Sequence, residues 1–228
     1  MKGHLKLTKH ASINRSIETH IQEISEEFRA GFEELKKYPK SVTIFGSSRA
    51  TPTNPHYKQA HELGRRIVQE LGYAVITGGG PGIMAAANLG AREAHGDSVG
   101  LTIELPHEQH TNPYTTSTAN SHYFFTRKTL LAFSAEAYVF LPGGYGTFDE
   151  LFNILTLMQT RKIPKVPIVL LGKEFWTPLK TFLAHHMLEK YGYISHHDIE
   201  MFVITDDIDR VMEIIKNAPV SEWWEKYD

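Results

Sequence analysis

The amino-acid sequence predicts an α/β fold in which a doubly wound parallel sheet lies between two layers of helices. Short apolar runs that are rich in β-branched residues and bounded by Gly or Pro alternate with segments of helical periodicity. The chain has 228 residues, of which 41% are hydrophobic and 22% are charged, enough for one sizeable core. Because strand–helix–strand units have right-handed crossovers, the strands should be parallel and covered on both faces, as in a Rossmann-like sandwich.

An extra amphipathic helix is predicted before the first strand. Apolar residues recur at spacings of three and four from Ile13 to Leu35, and the helix should end near Pro39. Its apolar stripe must pack either on its own domain or on a partner chain, and the spacing alone leaves both open. We therefore expect an N-terminal helical segment over 1–40 and a Rossmann-like domain over 41–228.

The remaining elements follow in order. Strands are predicted at Val42–Phe45, Tyr73–Thr77, Val99–Ile103, Ala137–Leu141, Val166–Leu171 and Met201–Thr205. Helices are predicted over 55–71, 82–95, 126–134, 147–160, 175–190 and 207–216. The first of these starts at Pro55 and stops at Gly72, the positions that Pro and Gly prefer. The polar, turn-rich stretch over 104–122 is interpreted as a loop above the site.

Composition excludes several classes of function. The formal net charge is -2 and the pI is about 6.7, which gives no global attraction to nucleic acid or to an anionic membrane. The absence of cysteine excludes disulfides, thiolate nucleophiles and Cys-ligated zinc. No apolar stretch approaches the ~20 residues that span a bilayer, and no signal peptide is evident. We expect a cytoplasmic protein that binds neither membranes nor nucleic acids.

Three glycine-rich loops follow predicted strands. They are Gly46–Arg49, Gly78–Gly82 and Pro142–Thr147. In doubly wound sheets, ligands bind beyond the carboxyl ends of the strands. Glycines let backbone N–H groups approach an anion closely, and the N-terminus of the following helix adds partial positive charge. Three such loops at one edge predict an anion or nucleotide site.

The familiar nucleotide fingerprints are absent. No Walker lysine is present, and the third glycine of a dinucleotide fingerprint would have to occupy Ile83. The expected acid could only be Asp97 or Glu104, so a nicotinamide cofactor is disfavoured.

The loop after the strand at Ala137–Leu141 resembles a known family signature. Its sequence PGGYGTFDE, from Pro142 to Glu150, matches the PGGxGTxxE motif of the LOG ("lonely guy") family. Arg127-Lys128 resembles the family's Arg-Lys pair, and Gly78 to Met84 is similar to its GGG-x-G-x-M segment. The sequence IELPHEQHTNPY, from Ile103 to Tyr114, resembles a bacterial-type subgroup, and the long N-terminal helix is extra to the plant-type pattern.

This resemblance implies a Rossmann-like phosphoribohydrolase that forms a homodimer or higher homo-oligomer. The reaction would split a nucleoside 5'-monophosphate, AMP-like or a cytokinin riboside monophosphate, into free base and ribose 5-phosphate. Cleaving an N-glycosidic bond develops an oxocarbenium-like ribose, which needs a fixed carboxylate nearby. We expect Glu150 to be that catalytic carboxylate, with Arg127 holding phosphate or ribose. The expected substrate- and phosphate-binding residues are Gly143, Gly144, Gly146, Thr147, Gly79, Gly80, Ser47 and Lys128.

Some of these residues have a purely structural interpretation. Thr147-Phe148-Asp149-Glu150 is also a capping box, in which Glu150 would only close the helix start. The pairs His185-His186 and His196-His197 lack metal-ligand spacing, so we predict neither metal nor cofactor. Trp223-Trp224 could stack on a base, but an apolar anchor or a dimer contact is favoured.

A second class of function remains open. A protein of this fold could carry a nucleotide or a pterin cofactor without hydrolysing it. A carrier needs the phosphate loops but has no use for Glu150 paired with Arg127. The sequence does not choose the base.

Overall fold

The computed structural model describes residues 17–104 and 111–219. The strands are β1 (Ser41–Phe45), β2 (Ala74–Thr77), β3 (Ser98–Ile103), β4 (Ser117–Ser121), β5 (Ala137–Phe140), β6 (Ile168–Leu171) and β7 (Val203–Thr205). The helices are α1 (Ile17–Leu35), α2 (Pro55–Arg66), α3 (Ile83–Glu93), α4 (Phe124–Ala132), α5 (Tyr145–Gln159), α6 (Lys173–Phe182), α7 (His196–Ile199) and α8 (Ile208–Lys216). Helices α2 and α6 continue as π-helical turns over Ile67–Leu71 and Leu183–Lys190.

The seven strands form one sheet in the order β4-β3-β2-β1-β5-β6-β7, and every neighbouring pair is parallel. From β1 the chain builds one half of the sheet outward to β4. It then crosses back to β5, on the other side of β1. The loops after β1 and β5 therefore leave the sheet in opposite directions, and such a switch point opens a crevice for ligands. The predicted α/β, doubly wound fold is confirmed.

The sheet is buried on both faces, as parallel sheets require. In β5, Tyr138 and Phe140 point to one apolar cluster, which includes the fully buried Trp176. Ala137 and Val139 alternate with them and join the opposite cluster. Burial on both faces fixes the register of the strands. The loops at the carboxyl edge of the sheet are therefore held in fixed positions relative to one another.

One predicted loop contains a strand, so that part of the interpretation was wrong. Within the stretch 104–122, Ser117–Ser121 forms the edge strand β4, parallel to β3. Its sequence STANS is polar and its side chains are largely exposed or half-buried, so it lacks the apolar run that predicts a buried strand. Residues 105–110 of the stretch lie outside the described part of the chain.

The N-terminal helix α1 packs on its own domain through its C-terminal half. Phe32 meets Phe133 edge to face, with ring centroids 6.2 Å apart. The Glu27 carboxylate accepts hydrogen bonds from the backbone N–H groups of His122 and Tyr123 at the start of α4. The earlier part of the apolar stripe stays open, since Ile17 and Ile21 are 74% and 61% exposed. Ile13, where the predicted stripe begins, lies outside the described residues.

Within 17–104 and 111–219, no helix has the length and apolar character needed to cross a membrane.

Candidate active site

A cleft of about 900 Å³ opens at the carboxyl edge of the sheet. All three predicted glycine-rich loops contribute to its lining, together with the first turns of α4 and α5. The loops follow β1, β2 and β5, which are adjacent in the sheet. The expectation that they meet at one edge is confirmed.

The loop before α5 lines the cleft with glycine residues, so its backbone is not covered by side chains there. Gly144 precedes the first helical residue, Tyr145, and no side chain caps this helix start. A Cβ atom added to Gly144 or to Gly146 would meet nothing within 4 Å, and both residues line the cleft. The unpaired N–H groups of a helix start attract anions. This helix N-terminus is therefore a fitting phosphate cradle.

The loop after β1 is tied to the two other loops by backbone hydrogen bonds. The N–H of Ser47 donates to the carbonyl of Pro142 at 3.0 Å, and the N–H of Ile83 donates to the carbonyl of Ser47 at 3.0 Å. In the loop after β2, Gly79 and Gly82 have φ angles of 71° and 70°, which favour glycine. The loops thus hold one another in position before any ligand binds.

Glu150 forms part of the cleft wall and is only 4% exposed. Its Oε2 atom is buried, and no residue that the structure describes forms a hydrogen bond with it. Burial raises the pKa of the Glu150 carboxyl to about 7; the Asp149 charge acts in the same direction, whereas Arg127 and Lys128 lower it. A carboxyl with this pKa changes its protonation state near neutral pH, as acid–base catalysis requires.

The capping-box interpretation of Glu150 was wrong. Helix α5 begins at Tyr145, two residues before Thr147. Thr147 is therefore inside the first turn, and Glu150 lies in the second turn rather than the first. A side chain there is too far along the helix to reach back to the cap, and Glu150 faces the cleft instead.

Arg127 lies in the first turn of α4 and also lines the cleft. Its Nε donates to the carbonyl of Leu101 at 2.8 Å, and its Nη2 makes a long contact of 3.5 Å to the carbonyl of Gly78. Burial lowers the pKa of Arg127, and the Glu150 charge opposes that shift. The guanidinium is thus anchored to β3 and to the first residue after β2.

Most of the predicted site residues share this cleft. The lining contains Glu150, Arg127, Gly144, Gly146, Thr147, Gly79, Gly80 and Ser47. Gly143 instead lines an adjoining cavity of about 370 Å³, and Lys128 lines neither. The Lys128 Nζ atom binds Asp149 Oδ1 at 2.6 Å.

The sequence interpretation missed the far end of the cleft, beyond β3. Thr102 donates its hydroxyl to Asn120 Oδ1 at 2.7 Å, and both residues line the cleft with Phe124. Thr102 stands near the end of a predicted strand, so the strand-end rule could have found it. Asn120 lies on the unpredicted β4 and carried no such signal.

Two other expectations concern metals and the C-terminus. No group of three or more His, Asp or Glu side chains that could hold a metal is present in the part of the chain that the structure describes. Trp223-Trp224 lie outside the described residues.

Sequence comparison identifies relatives across most of the chain. A family model described as "Possible lysine decarboxylase" matches residues 84–215. A cytokinin riboside 5'-monophosphate phosphoribohydrolase of Rhodococcoides fascians is 27% identical over 183 residues, which cover 78% of this chain and 90% of the relative. Its namesake from Mycobacterium marinum is 26% identical over 177 residues, covering 77% and 94%. The Arabidopsis thaliana enzyme LOG2 is 25% identical, covering 81% and 86%.

Solved structures share the fold. A structural genomics target has a TM-score of 0.58 and 26% identity, covering 78% of this chain and 98% of its own. The molybdenum cofactor carrier protein of Chlamydomonas reinhardtii also has a TM-score of 0.58, with 22% identity and coverage of 78% and 97%. At this identity the carrier shows the fold alone.

Proposed function

The chain belongs to the LOG family, and on that premise we propose that it hydrolyses the N-glycosidic bond of a nucleoside 5'-monophosphate. The products are the free base and ribose 5-phosphate, and water is the second substrate. The observation that carries the proposal is Glu150, a buried carboxyl with an unpartnered oxygen beside a phosphate cradle.

The family description names a decarboxylase, whereas the curated relatives are phosphoribohydrolases. The cleft favours the second reaction. The bare N-terminus of α5 attracts an anion, and a phosphorylated sugar offers one at its 5' end. The free side chain of lysine would bring a cation to that helix start, which is unfavourable.

The reaction needs a negative charge at the sugar. As the glycosidic bond breaks, its electron pair leaves with the base and positive charge develops on the ribose. The Glu150 carboxylate stabilises this charge and accepts a proton from the water that attacks the anomeric carbon. That proton then passes to the departing base, which yields the neutral free base and restores the carboxylate. The backbone N–H groups of Gly144 and Gly146 and the hydroxyl of Thr147 hold the phosphate, and Ser47 contacts phosphate or ribose.

The test is an incubation with AMP, CMP, GMP and an isopentenylated AMP, followed by measurement of ribose 5-phosphate. We expect at least one monophosphate to be hydrolysed, and its nucleoside to be a much poorer substrate, because phosphate binding supplies positioning energy. The preferred base identifies the cytokinin-like or AMP-like branch. Equal turnover of adenosine and AMP would contradict the proposal. Tight binding of a nucleotide without any ribose 5-phosphate would instead support a carrier.

The same proposal includes a homodimer in the cytoplasm. Ile17 and Ile21 expose an apolar stripe on α1, and Phe124 and Phe125 are about half exposed on α4, which packs against α1. A second copy of the chain would cover such surface. Light scattering should give about twice the chain mass of 25.9 kDa at micromolar concentration. The monomer mass would count against the dimer.

A further inference from the structure

The described residues of the cleft provide no excess of positive charge. Among the described residues that line it, the carboxylates are Glu104, Asp149 and Glu150, and the cations are Arg49 and Arg127. A phosphate dianion would meet repulsion from these carboxylates unless a cation lay against it. Lys128 is not part of the lining and is already paired with Asp149.

Arg127 is poorly placed to be that cation. Its Nε and Nη2 atoms are directed to the carbonyl oxygens of Leu101, within β3, and of Gly78, just after β2. Its charge acts on the neighbouring Glu150, whose pKa it lowers. The phosphate cradle, by contrast, follows β5, on the other side of β1. Arg127 thus lies on the β2–β3 side of the cleft.

Arg49, unlike Arg127, has a guanidinium group that is not bound to main-chain carbonyl groups of the described residues. Its side chain is exposed and makes no hydrogen bond or ion pair with any residue that the structure describes. It lines both the main cleft and the adjoining cavity of about 370 Å³, and Gly144 of the cradle borders the same two spaces. Arg49, whose guanidinium is uncommitted among the described residues, therefore borders the same two spaces as the helix start that should hold the phosphate.

The backbone below Arg49 is fixed. The N–H of Arg49 donates to the hydroxyl of Ser47 at 3.1 Å, and the N–H of Ser47 donates to the carbonyl of Pro142 at 3.0 Å. The loop that carries Arg49 is thus joined to the loop that forms the cradle. Because this backbone is already fixed, only the rotamers of the Arg49 side chain need to be ordered when a ligand binds.

We infer that Arg49 binds the 5'-phosphate of the substrate and makes the site selective for phosphorylated nucleosides. This deepens the proposed function and rests on it. The guanidinium binds the phosphate oxygens from the β1 side, and the N–H groups of Gly144 to Gly146 bind them from the α5 side. Arg127 is left to the ribose and to Glu150.

The test compares wild type with Arg49→Ala and Arg49→Lys, using calorimetry with ribose 5-phosphate and initial rates with AMP. Arg49→Ala should weaken ribose 5-phosphate binding and raise KM for AMP about 10- to 100-fold, the range for losing a charged hydrogen bond. The kcat should change less than KM. Arg49→Lys should recover part of the loss, because lysine restores the charge but not the planar fork. Arg29→Ala, an exposed arginine on α1, is the matched control and should bind normally.

The outcomes separate this inference from the proposed function. If Arg49→Ala binds ribose 5-phosphate and AMP as wild type does, the inference is wrong even where AMP is hydrolysed. A fall in kcat without a change in KM or in binding would also overturn it. If wild type hydrolyses no nucleotide but binds ribose 5-phosphate through Arg49, the inference stands and the hydrolase proposal fails.

Discussion

Glu150 and Arg127 face the same cleft with opposite charges, yet they form no direct ion pair. Arg127 donates to main-chain carbonyl groups, and Glu150 Oε2 has no hydrogen-bond partner among residues 17–104 and 111–219. Their charges still act on each other, since Arg127 lowers the pKa of Glu150 and Glu150 raises the pKa of Arg127. In a direct ion pair, the oxygen atoms of the Glu150 carboxylate would be bound to Arg127. Because the two side chains form no such pair, the carboxylate can interact with a substrate.

The pH dependence of the reaction should report Glu150. Its pKa of about 7 means that the carboxylate form, which the mechanism uses, is lost as the pH falls through that value. We expect kcat/KM for AMP to rise with pH and level off above about 7. If kcat/KM, measured by ribose 5-phosphate release, is constant between pH 5 and 9, Glu150 does not take part in the reaction.

Removal of Arg127 should change that profile. Without this cation, the pKa of Glu150 should increase, so the acidic limb should move to higher pH. Arg127→Ala should also reduce kcat/KM by about 10- to 100-fold, since a charged partner of the substrate is lost. Arg127→Lys retains the charge and should shift the limb less. An acidic limb that does not move in Arg127→Ala would show that the two charges are uncoupled.

Two neighbouring glycines offer a matched pair of substitutions. A Cβ atom at Gly143 would lie 2.0 Å from Thr147 Oγ1, whereas a Cβ atom at Gly144 would meet nothing within 4 Å. Gly143→Ala should therefore lower the melting temperature, because the loop must shift. Gly144→Ala should melt like wild type but raise KM for AMP, because its methyl group enters the phosphate cradle. If KM for AMP in Gly144→Ala equals that of wild type, the phosphate does not bind at the N-terminus of α5.

The stability of the protein should also depend on Glu150. Its pKa rises from 4.5 to about 7 on folding, so the folded state binds the proton more tightly. This contribution to stability is complete below pH 4.5 and is lost as the pH rises through about 7. The shift corresponds to about 3 kcal/mol.

Glu150→Gln should therefore unfold at higher denaturant than wild type at pH 8, with a much smaller difference at pH 5. Glu33→Gln, at an exposed position on α1, is the control and should change stability by less than about 0.5 kcal/mol. A Glu150→Gln variant that is less stable than wild type at pH 8 would indicate a structural role for the carboxylate.

The sequence was sufficient to predict the buried strands of the sheet and the loops that follow them, because buried parallel strands appear in a sequence as continuous apolar runs. It was not sufficient for β4, since the polar edge strand at Ser117–Ser121 leaves no such run. Asn120 was missed with it. The start of α5 was placed two residues late because glycines such as Gly146 weaken helical periodicity, and this error produced the capping box at Glu150.

The sequence also did not show which partner each charged side chain of the site would have. Arg127 and Lys128 are neighbours in the motif, yet Arg127 lines the cleft while Lys128 turns to Asp149. Successive residues on a helix point about 100° apart, so only one of them can face a given surface. Similarly, nothing in the spacing of Arg49 showed that it would border the phosphate cradle.

The rate of ribose 5-phosphate release by Glu150→Gln tests the central claim most directly. Gln has nearly the shape of Glu but cannot carry the negative charge that an oxocarbenium-like transition state requires. We expect kcat for AMP to fall by two or more orders of magnitude, about 3 kcal/mol of lost transition-state stabilisation, while the variant stays folded and binds ribose 5-phosphate. A folded Glu150→Gln variant that hydrolyses AMP at the wild-type rate would contradict the assignment of Glu150 and, with it, the proposed mechanism.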